Sequence, residues 1–270
     1  MKNIKIGFIG AGNMAQAMLK GMLNNSEIES KNIFVYDLND KLISELEKKY
    51  GVSKCKDQKE LAKKADIIIL AIKPNIYPLV IDMIKNDVDL NKIVVSITPG
   101  YSIKELKIYF EKNVKIVRTM PNTPAMVGEG MTAYCIDSSI DENDENIIKN
   151  ILKTFSKVEK VDEKLMDVVV ATSGSSPAYV YMFIEALADG AVLGGMPRDK
   201  AYIFAAQTVL GAAQMVIETG IHPGALKDMV CSPGGTTIEA VASLEENGFR
   251  SSIIQAMKKC IEKSKKMNLQ

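Results

Sequence analysis

A chain of 270 residues, 47% hydrophobic and 25% charged, has the composition of a globular protein and the length of two ordinary domains. Its 34 basic and 33 acidic side chains leave a formal net charge of +1, and only Arg118, Arg198 and Arg250 are arginines, which argues against a nucleic-acid surface or a site of several bidentate phosphate clamps. Cys55, Cys135, Cys231 and Cys260 are too scattered for a metal pattern, a redox pair or a disulfide framework, and no apolar run or basic leader directs the chain to a membrane or export route, so a cytoplasmic protein is expected.

The opening Ile4-Lys5-Ile6-Gly7-Phe8-Ile9 alternates and runs into Gly10-Ala11-Gly12-Asn13-Met14-Ala15, after which Met18, Leu19, Met22 and Leu23 recur at helical spacing. Strand, tight turn and helix with G-x-G-x-x-A spacing form a dinucleotide fingerprint, with Gly10, Gly12, Asn13 and Met14 as candidate cofactor contacts. A second strand, Asn32 to Tyr36, ends in Asp37. An acid there can accept hydrogen bonds from an adenosine ribose and repels a 2′-phosphate, a lean toward NADH over NADPH; it can equally cap the next helix.

Strands at Ala65 to Ile72, Lys92 to Ile97 and Lys115 to Thr119 alternate with helical patterns around Leu42 to Tyr50, Leu79 to Lys85 and Ile103 to Phe110. Continuous apolar strands such as Ile67-Ile68-Ile69-Leu70 belong to a sheet covered on both faces. The strand ends carry Ala71-Ile72-Lys73-Pro74-Asn75, Ser96-Ile97-Thr98-Pro99-Gly100 and Arg118-Thr119-Met120-Pro121-Asn122-Thr123-Pro124, prolines mixed with small polar residues where such sheets bind ligands. The hydrophilic run Asp137 to Asn146 reads as a loop and helix start, with Ile147, Ile148, Ile151, Leu152 and Phe155 on the buried face, and Val158 to Val161 is a last short strand. The reading is α/β: a Rossmann-type doubly wound sheet over residues 1–161, then an all-helical domain over 162–270.

In the second half Leu165 to Thr172 is apolar at helical length, Ser173-Gly174-Ser175-Ser176-Pro177 restarts a helix through Leu193, and another runs from Arg198 to Glu218. Helices apolar all round must be buried all round. The expected solution is a homodimer through this domain; the alternative is packing back on the sheet. Glu185 and Asp189 mark a wet stripe, and His222 before Pro223-Gly224 suits a cap. With one histidine and no clustered thiolates, metal hydrolysis and a serine-histidine triad lack parts.

Ser232-Pro233-Gly234-Gly235 then turns into Thr236-Thr237-Ile238-Glu239. A Pro-Gly-Gly turn entering a helix through a Thr-x-x-Glu capping box is either an anion receptor built on backbone N–H groups or simply a well-capped surface helix.

Over essentially its whole length the chain resembles pyrroline-5-carboxylate reductases. The likeness rests on Gly7 to Ala15, Ala71-Ile72-Lys73-Pro74, Arg118 to Pro124 and, most specifically, Asp228-Met229-Val230-Cys231-Ser232-Pro233-Gly234-Gly235-Thr236-Thr237-Ile238-Glu239-Ala240. The resemblance implies a Rossmann domain, a helical dimerisation domain, dimers that can assemble as decamers of five, and reduction of an imino acid, 1-pyrroline-5-carboxylate, to L-proline with NADPH or NADH. It assigns Ser232, Gly235, Thr236 and Thr237 to the substrate carboxylate, with the Thr237 hydroxyl near the ring nitrogen as the catalytic group. Hydride transfer to a protonated imine needs orientation more than acid or metal; Ala71, Lys73, Pro74, Asn75 and Asn122 are the candidates for the nicotinamide shelf. The chain departs from many relatives at Ser176, at Asp37-Leu38 where NADPH users often carry Asn-Arg, and at Thr98-Pro99 where small residues are common. Two other readings share the build: a reductase of another substrate such as a β-hydroxyacid, which calls for a lysine or histidine not evident here, and a catalytically silent NAD(H) sensor, whose mark would be a damaged carboxylate receptor.

Overall fold

The computed structural model describes residues 3–24 and 28–267. The first half is a βα succession: β1 (Ile6–Ile9), α1 (Asn13–Leu23), β2 (Ile33–Tyr36), α2 (Asp40–Tyr50), β3 (Ser53–Lys54), α3 (Gln58–Lys64), β4 (Ile67–Leu70), α4 (Tyr77–Ile84), β5 (Ile93–Ser96), α5 (Ile103–Phe110), β6 (Lys115–Met120), β7 (Gly130–Ile136), α6 (Glu142–Lys153) and β8 (Ser156–Lys160). The strands form one sheet in the order β3-β2-β1-β4-β5-β6-β7-β8. All neighbours are parallel except β6 and β7, which run antiparallel with Val117 opposite Ile136. The first six strands follow the dinucleotide-fold order, in which the strand order reverses between β1 and β4 and opens a crevice there.

Side-chain alternation sorts the core onto two faces. Ile6 and Phe8 of β1 and Ile67 and Ile69 of β4 meet Met18, Leu19 and Met22 of α1 and Ile148, Ile151 and Leu152 of α6. Ile9, Ile68 and Leu70 point the other way, onto Leu61, Tyr77, Ile81, Ile84, Leu106 and Phe110. Helix starts are fixed locally: Asn39 and Asp57 accept the Leu42 and Glu60 N–H groups, and Ser102 with Glu105 closes a reciprocal capping box. Two strands lie outside the expected set, β3 and β7.

After β8 the chain enters α7 (Met166–Val169), which widens into a π-helical turn over Val170–Gly174 closed by the Ser175 N–H on the Val170 carbonyl at 2.8 Å. The chain divides into two compact units, one of residues up to Ser175 together with those from Cys260 onward, the other Ser176–Lys259. In the first unit the Ser264 hydroxyl donates to Asp167 at 2.6 Å. The second contains α8 (Ser176–Leu193), α9 (Arg198–Thr219), α10 (Pro223–Val230), α11 (Thr236–Glu246) and the start of α12 (Phe249–Met267), with no strand among its described residues.

Within this second unit α8 and α9 bury only Ala188, Ala201 and Ala205 between them, and Phe183 meets Phe249 with ring centroids 5.9 Å apart. Most large apolar side chains stay on its surface: Leu193 is 91% exposed, Ile203 68% and Phe204 62%. On length and composition alone α9 could cross a membrane. Asp189 is engaged by Arg198 across the turn between the two helices.

Candidate active site

The first unit carries a cleft of about 380 Å³ at the carboxyl ends of β1, β4, β5 and β6. It is lined by Gly12, Asn13, Met14 and Ala15, by Ala71 to Pro74, by Ile97 and Thr98, by Met120 to Thr123, and by Gly174. All three proline-containing strand ends therefore meet in one place. Gly174 joins them from far along the chain; its only signal in the sequence is the glycine-serine interruption before α8.

The two motif glycines do different work. Gly10 has φ 101°, and a Cβ there would overlap the Ala71 carbonyl oxygen, so its glycine permits close approach of two strand ends. Gly12 has an ordinary φ of −64°, is the N-cap of α1, and a Cβ on it would meet no protein atom within 4 Å. What that space leaves open is the start of α1, where the N–H groups of Asn13, Met14 and Ala15 lack intrahelical acceptors and no side chain caps them. A bare helix N-terminus on a glycine turn fits the pyrophosphate of a dinucleotide.

Asp37 stands on the opposite side of β1, at the end of β2. Its carboxylate accepts the Ala11 N–H at 2.8 Å and the Asn39 N–H at 2.9 Å, tying the glycine turn to the next loop. The cap of α2 is Asn39. The acid thus supports the turn from the side where an adenosine ribose lies in this fold.

Beneath the cleft, buried polar groups lock the strand ends. The Tyr77 hydroxyl donates to the Leu70 carbonyl at 2.7 Å and lies 3.2 Å from the Ser96 hydroxyl, while Thr119 donates to the Ser96 carbonyl at 3.0 Å. Burial pushes the Tyr77 phenol well above the usual tyrosine range. Tyr101 stacks on Tyr77 with centroids 5.2 Å apart and donates to the Pro74 carbonyl at 3.1 Å. Of the expected shelf residues, Ala71, Lys73 and Pro74 line the cleft and Asn75 does not; it sits exposed in the short turn Pro74–Ile76. Asn122 lines it too, but its amide is already engaged, accepting the Met131 N–H at 2.8 Å and donating to the Ser173 carbonyl at 3.1 Å. Arg118 points away, buried against Glu163 at 3.3 Å. A larger open groove along α5, of about 710 Å³, is bordered by Glu163 and holds none of the motif residues.

In the second unit, Ser232 to Gly235 form a turn closed by the Gly235 N–H on the Ser232 carbonyl at 3.0 Å, with Pro233 and then Gly234 at φ 66° in the centre. A Cβ on Gly235 would collide with the Ser232 hydroxyl. The expected capping box is not formed. Gly235 is the N-cap, without any side-chain cap, so Thr236 is the first helical residue and Glu239 lies one position too far along. The turn closes on Gly235 and starts the helix one residue early. As a result the N–H groups of Thr236, Thr237 and Ile238 have no side-chain cap, and an uncapped helix start of this kind is able to receive an anion. His222 does cap α10, its Nδ1 accepting the Gly224 N–H at 3.0 Å. No cluster of three or more potential metal ligands occurs among the described residues.

Comparison with known proteins accounts for both ends of the chain. Residues 163–267 match the family model described as pyrroline-5-carboxylate reductase dimerisation, and residues 5–100 match that described as NADP oxidoreductase, coenzyme F420-dependent. The pyrroline-5-carboxylate reductase of Escherichia coli (strain K12) is 48% identical over 264 residues, 98% of either chain, and that of Methanosarcina acetivorans is 40% identical over 267 residues, 99% of either chain. Among solved structures, the pyrroline carboxylate reductase of Plasmodium falciparum with NADP bound has a TM-score of 0.91 at 36% identity over 99% of both chains. A dinucleotide-type cleft, a Pro-Gly-Gly turn opening onto an uncapped helix start and identity along the full length lead to one conclusion: the chain belongs to the pyrroline-5-carboxylate reductase family of pyridine-nucleotide oxidoreductases.

Proposed function

We propose that this chain reduces the C=N bond of 1-pyrroline-5-carboxylate to give L-proline, the last step of proline biosynthesis, in the cytoplasm. The observation that carries the reading is the uncapped helix start at Ser232 to Thr237 in a chain whose strand ends form a dinucleotide-type cleft. Residues 1–161 serve as the dinucleotide domain, and residues 162–270 bind the substrate and pair with a second copy.

A reduced nicotinamide supplies the hydride. The chain's own residues bind and orient. Gly12, Asn13 and Met14 present N–H groups to the pyrophosphate, Ala71 to Pro74 form a rigid wall held by Tyr77 and Tyr101, and Asp37 favours the ribose of NADH over the phosphorylated ribose of NADPH. Gly235, Thr236 and Thr237 take the substrate carboxylate on backbone and hydroxyl groups, and the Thr237 hydroxyl lies near the ring nitrogen, where the π electron pair of the protonated C=N bond settles as the amine lone pair when hydride bonds to carbon. Orientation of this kind can lower the barrier by about 7 kcal/mol or more without a strong acid.

The test is oxidation of NADH and NADPH with 1-pyrroline-5-carboxylate, beside a β-hydroxyacid run in the reverse direction. Turnover with the imine is expected; tight NADH binding without it would leave a sensor. Thr237→Ala should cut kcat about 10- to 100-fold with NADH affinity unchanged, and equal loss of both would assign Thr237 to the fold.

A further inference from the structure

Among the described residues, buried polar side chains are paired, with one exception. Ser96 meets Tyr77, Thr119 meets the Ser96 carbonyl, Thr132 meets Ser156, Asn122 meets Met131 and Ser173, Asp137 meets Lys107, Arg118 meets Glu163 and Ser264 meets Asp167. Thr98 is only 7% exposed, and its hydroxyl has no hydrogen-bond partner among the described residues. Leaving a buried hydroxyl unmet opposes folding, so such a group needs an explanation.

Its position supplies one. Thr98 lines the cleft just beyond the end of β5, and in the order β2-β1-β4-β5 it lies two strands from the glycine turn, on the side away from Asp37. With neighbouring strands about 4.8 Å apart, that is about 10 Å from β1. The adenosine end of a dinucleotide is directed to β2, so the other half extends toward β4 and β5. The segment before Thr98 is held by the Ser96, Tyr77 and Thr119 bonds, which fixes where Thr98 stands before any ligand arrives.

Resting on the reading of the cleft as a dinucleotide site, we infer that Thr98 is a further cofactor-binding residue, its hydroxyl hydrogen-bonding the ribosyl-nicotinamide half. The hydroxyl is unpaired in the folded chain because its partner is the ligand.

Titration calorimetry with NADH and NADPH on the wild-type protein, Thr98→Val and Thr98→Ser tests this. Valine keeps the shape and removes the hydroxyl, and should weaken dinucleotide binding about three- to tenfold, the worth of one neutral hydrogen bond. Serine should bind within about twofold of wild type. ADP and adenosine 2′,5′-bisphosphate, which carry only the adenosine end, should bind all three proteins alike. The ligand-free valine variant should melt no lower than wild type, since it loses an unmet polar group. Valine binding the dinucleotides as tightly as wild type overturns the inference, as does equal weakening of the adenosine fragments or a lower melting temperature without ligand. Failure of the wild-type protein to bind either dinucleotide would overturn the reading of the cleft itself, and the inference with it.

Discussion

Gly10 and Gly12 stand two residues apart in one motif, and substitution separates their roles. Gly10→Ala puts a Cβ at positive φ against the Ala71 carbonyl and should lower stability by about 2 to 4 kcal/mol in urea unfolding. Gly12→Ala adds a methyl group to open space at allowed φ; its urea midpoint should stay near wild type while NADH affinity falls at least about tenfold. A destabilised Gly12→Ala, or a stable Gly10→Ala, would reverse the assignment. Asp37 needs the same care because its carboxylate already holds two N–H groups. Asp37→Ala should shift the NADPH/NADH affinity ratio upward and also cost about 1 to 3 kcal/mol of stability. An unchanged ratio in titrations with both cofactors would remove Asp37 from the ribose site whatever happens to stability.

Elements were legible in the sequence where a period ran long enough to count. The glycine fingerprint between β1 and α1, the apolar run of β4 and the bounds of α8 and α9 all follow from such periods. β3 has only two polar residues, Ser53 and Lys54, and no period can show in two. β7 escapes for another reason: it is the antiparallel strand, entered from the proline-rich turn after β6 and buried at Gly130 and from Thr132 to Cys135 without alternation. The cap of α11 lies one residue before the position the Thr-x-x-Glu spacing predicts, because that spacing is local whereas the helix start is set by the turn closing on Gly235. The unpaired hydroxyl of Thr98 depends on what neighbouring segments do with their own polar groups, which no local pattern records. The two hidden strands each carry or adjoin a buried thiol. Burial pushes Cys55 from the ordinary 9.0 to about 11 and Cys135 to about 12. Both remain neutral in the folded chain while the unfolded thiols ionise, so their contribution to stability is complete below pH 9.0 and is lost as pH rises through about 11 to 12. The urea midpoint should fall between about pH 8 and pH 11, less steeply in a Cys55→Ala, Cys135→Ala double variant. Neither thiol should react with a disulfide reagent at pH about 8 until the chain unfolds; rapid reaction in the native state at either position would contradict their burial.

At the scale of the whole molecule the two compact units follow different rules of burial. The sheet unit closes two apolar clusters around itself, as a domain able to stand alone should. The helical unit buries three alanines and leaves Tyr181, Met182, Leu193, Ile203, Phe204 and Ile217 more than half exposed. Soluble monomers rarely carry contiguous apolar surface beyond a few hundred Å², and a helix such as α9, apolar enough to cross a membrane on composition, needs a cover. A second copy of the same unit is the cover that the match of residues 163–267 to a dimerisation domain suggests. Sedimentation at micromolar concentration should therefore return at least twice the 29.6 kDa of one chain, and the measured multiple separates a dimer from a decamer of five dimers. Phe204→Glu places a charge on this surface, and burying an uncompensated carboxylate against a partner costs several kcal/mol. The variant should dissociate or weaken the dimer at least about 100-fold while NADH binding by the sheet unit persists. An intact wild-type monomer, or a Phe204→Glu protein that sediments as wild type does, would mean that these helices find their cover elsewhere.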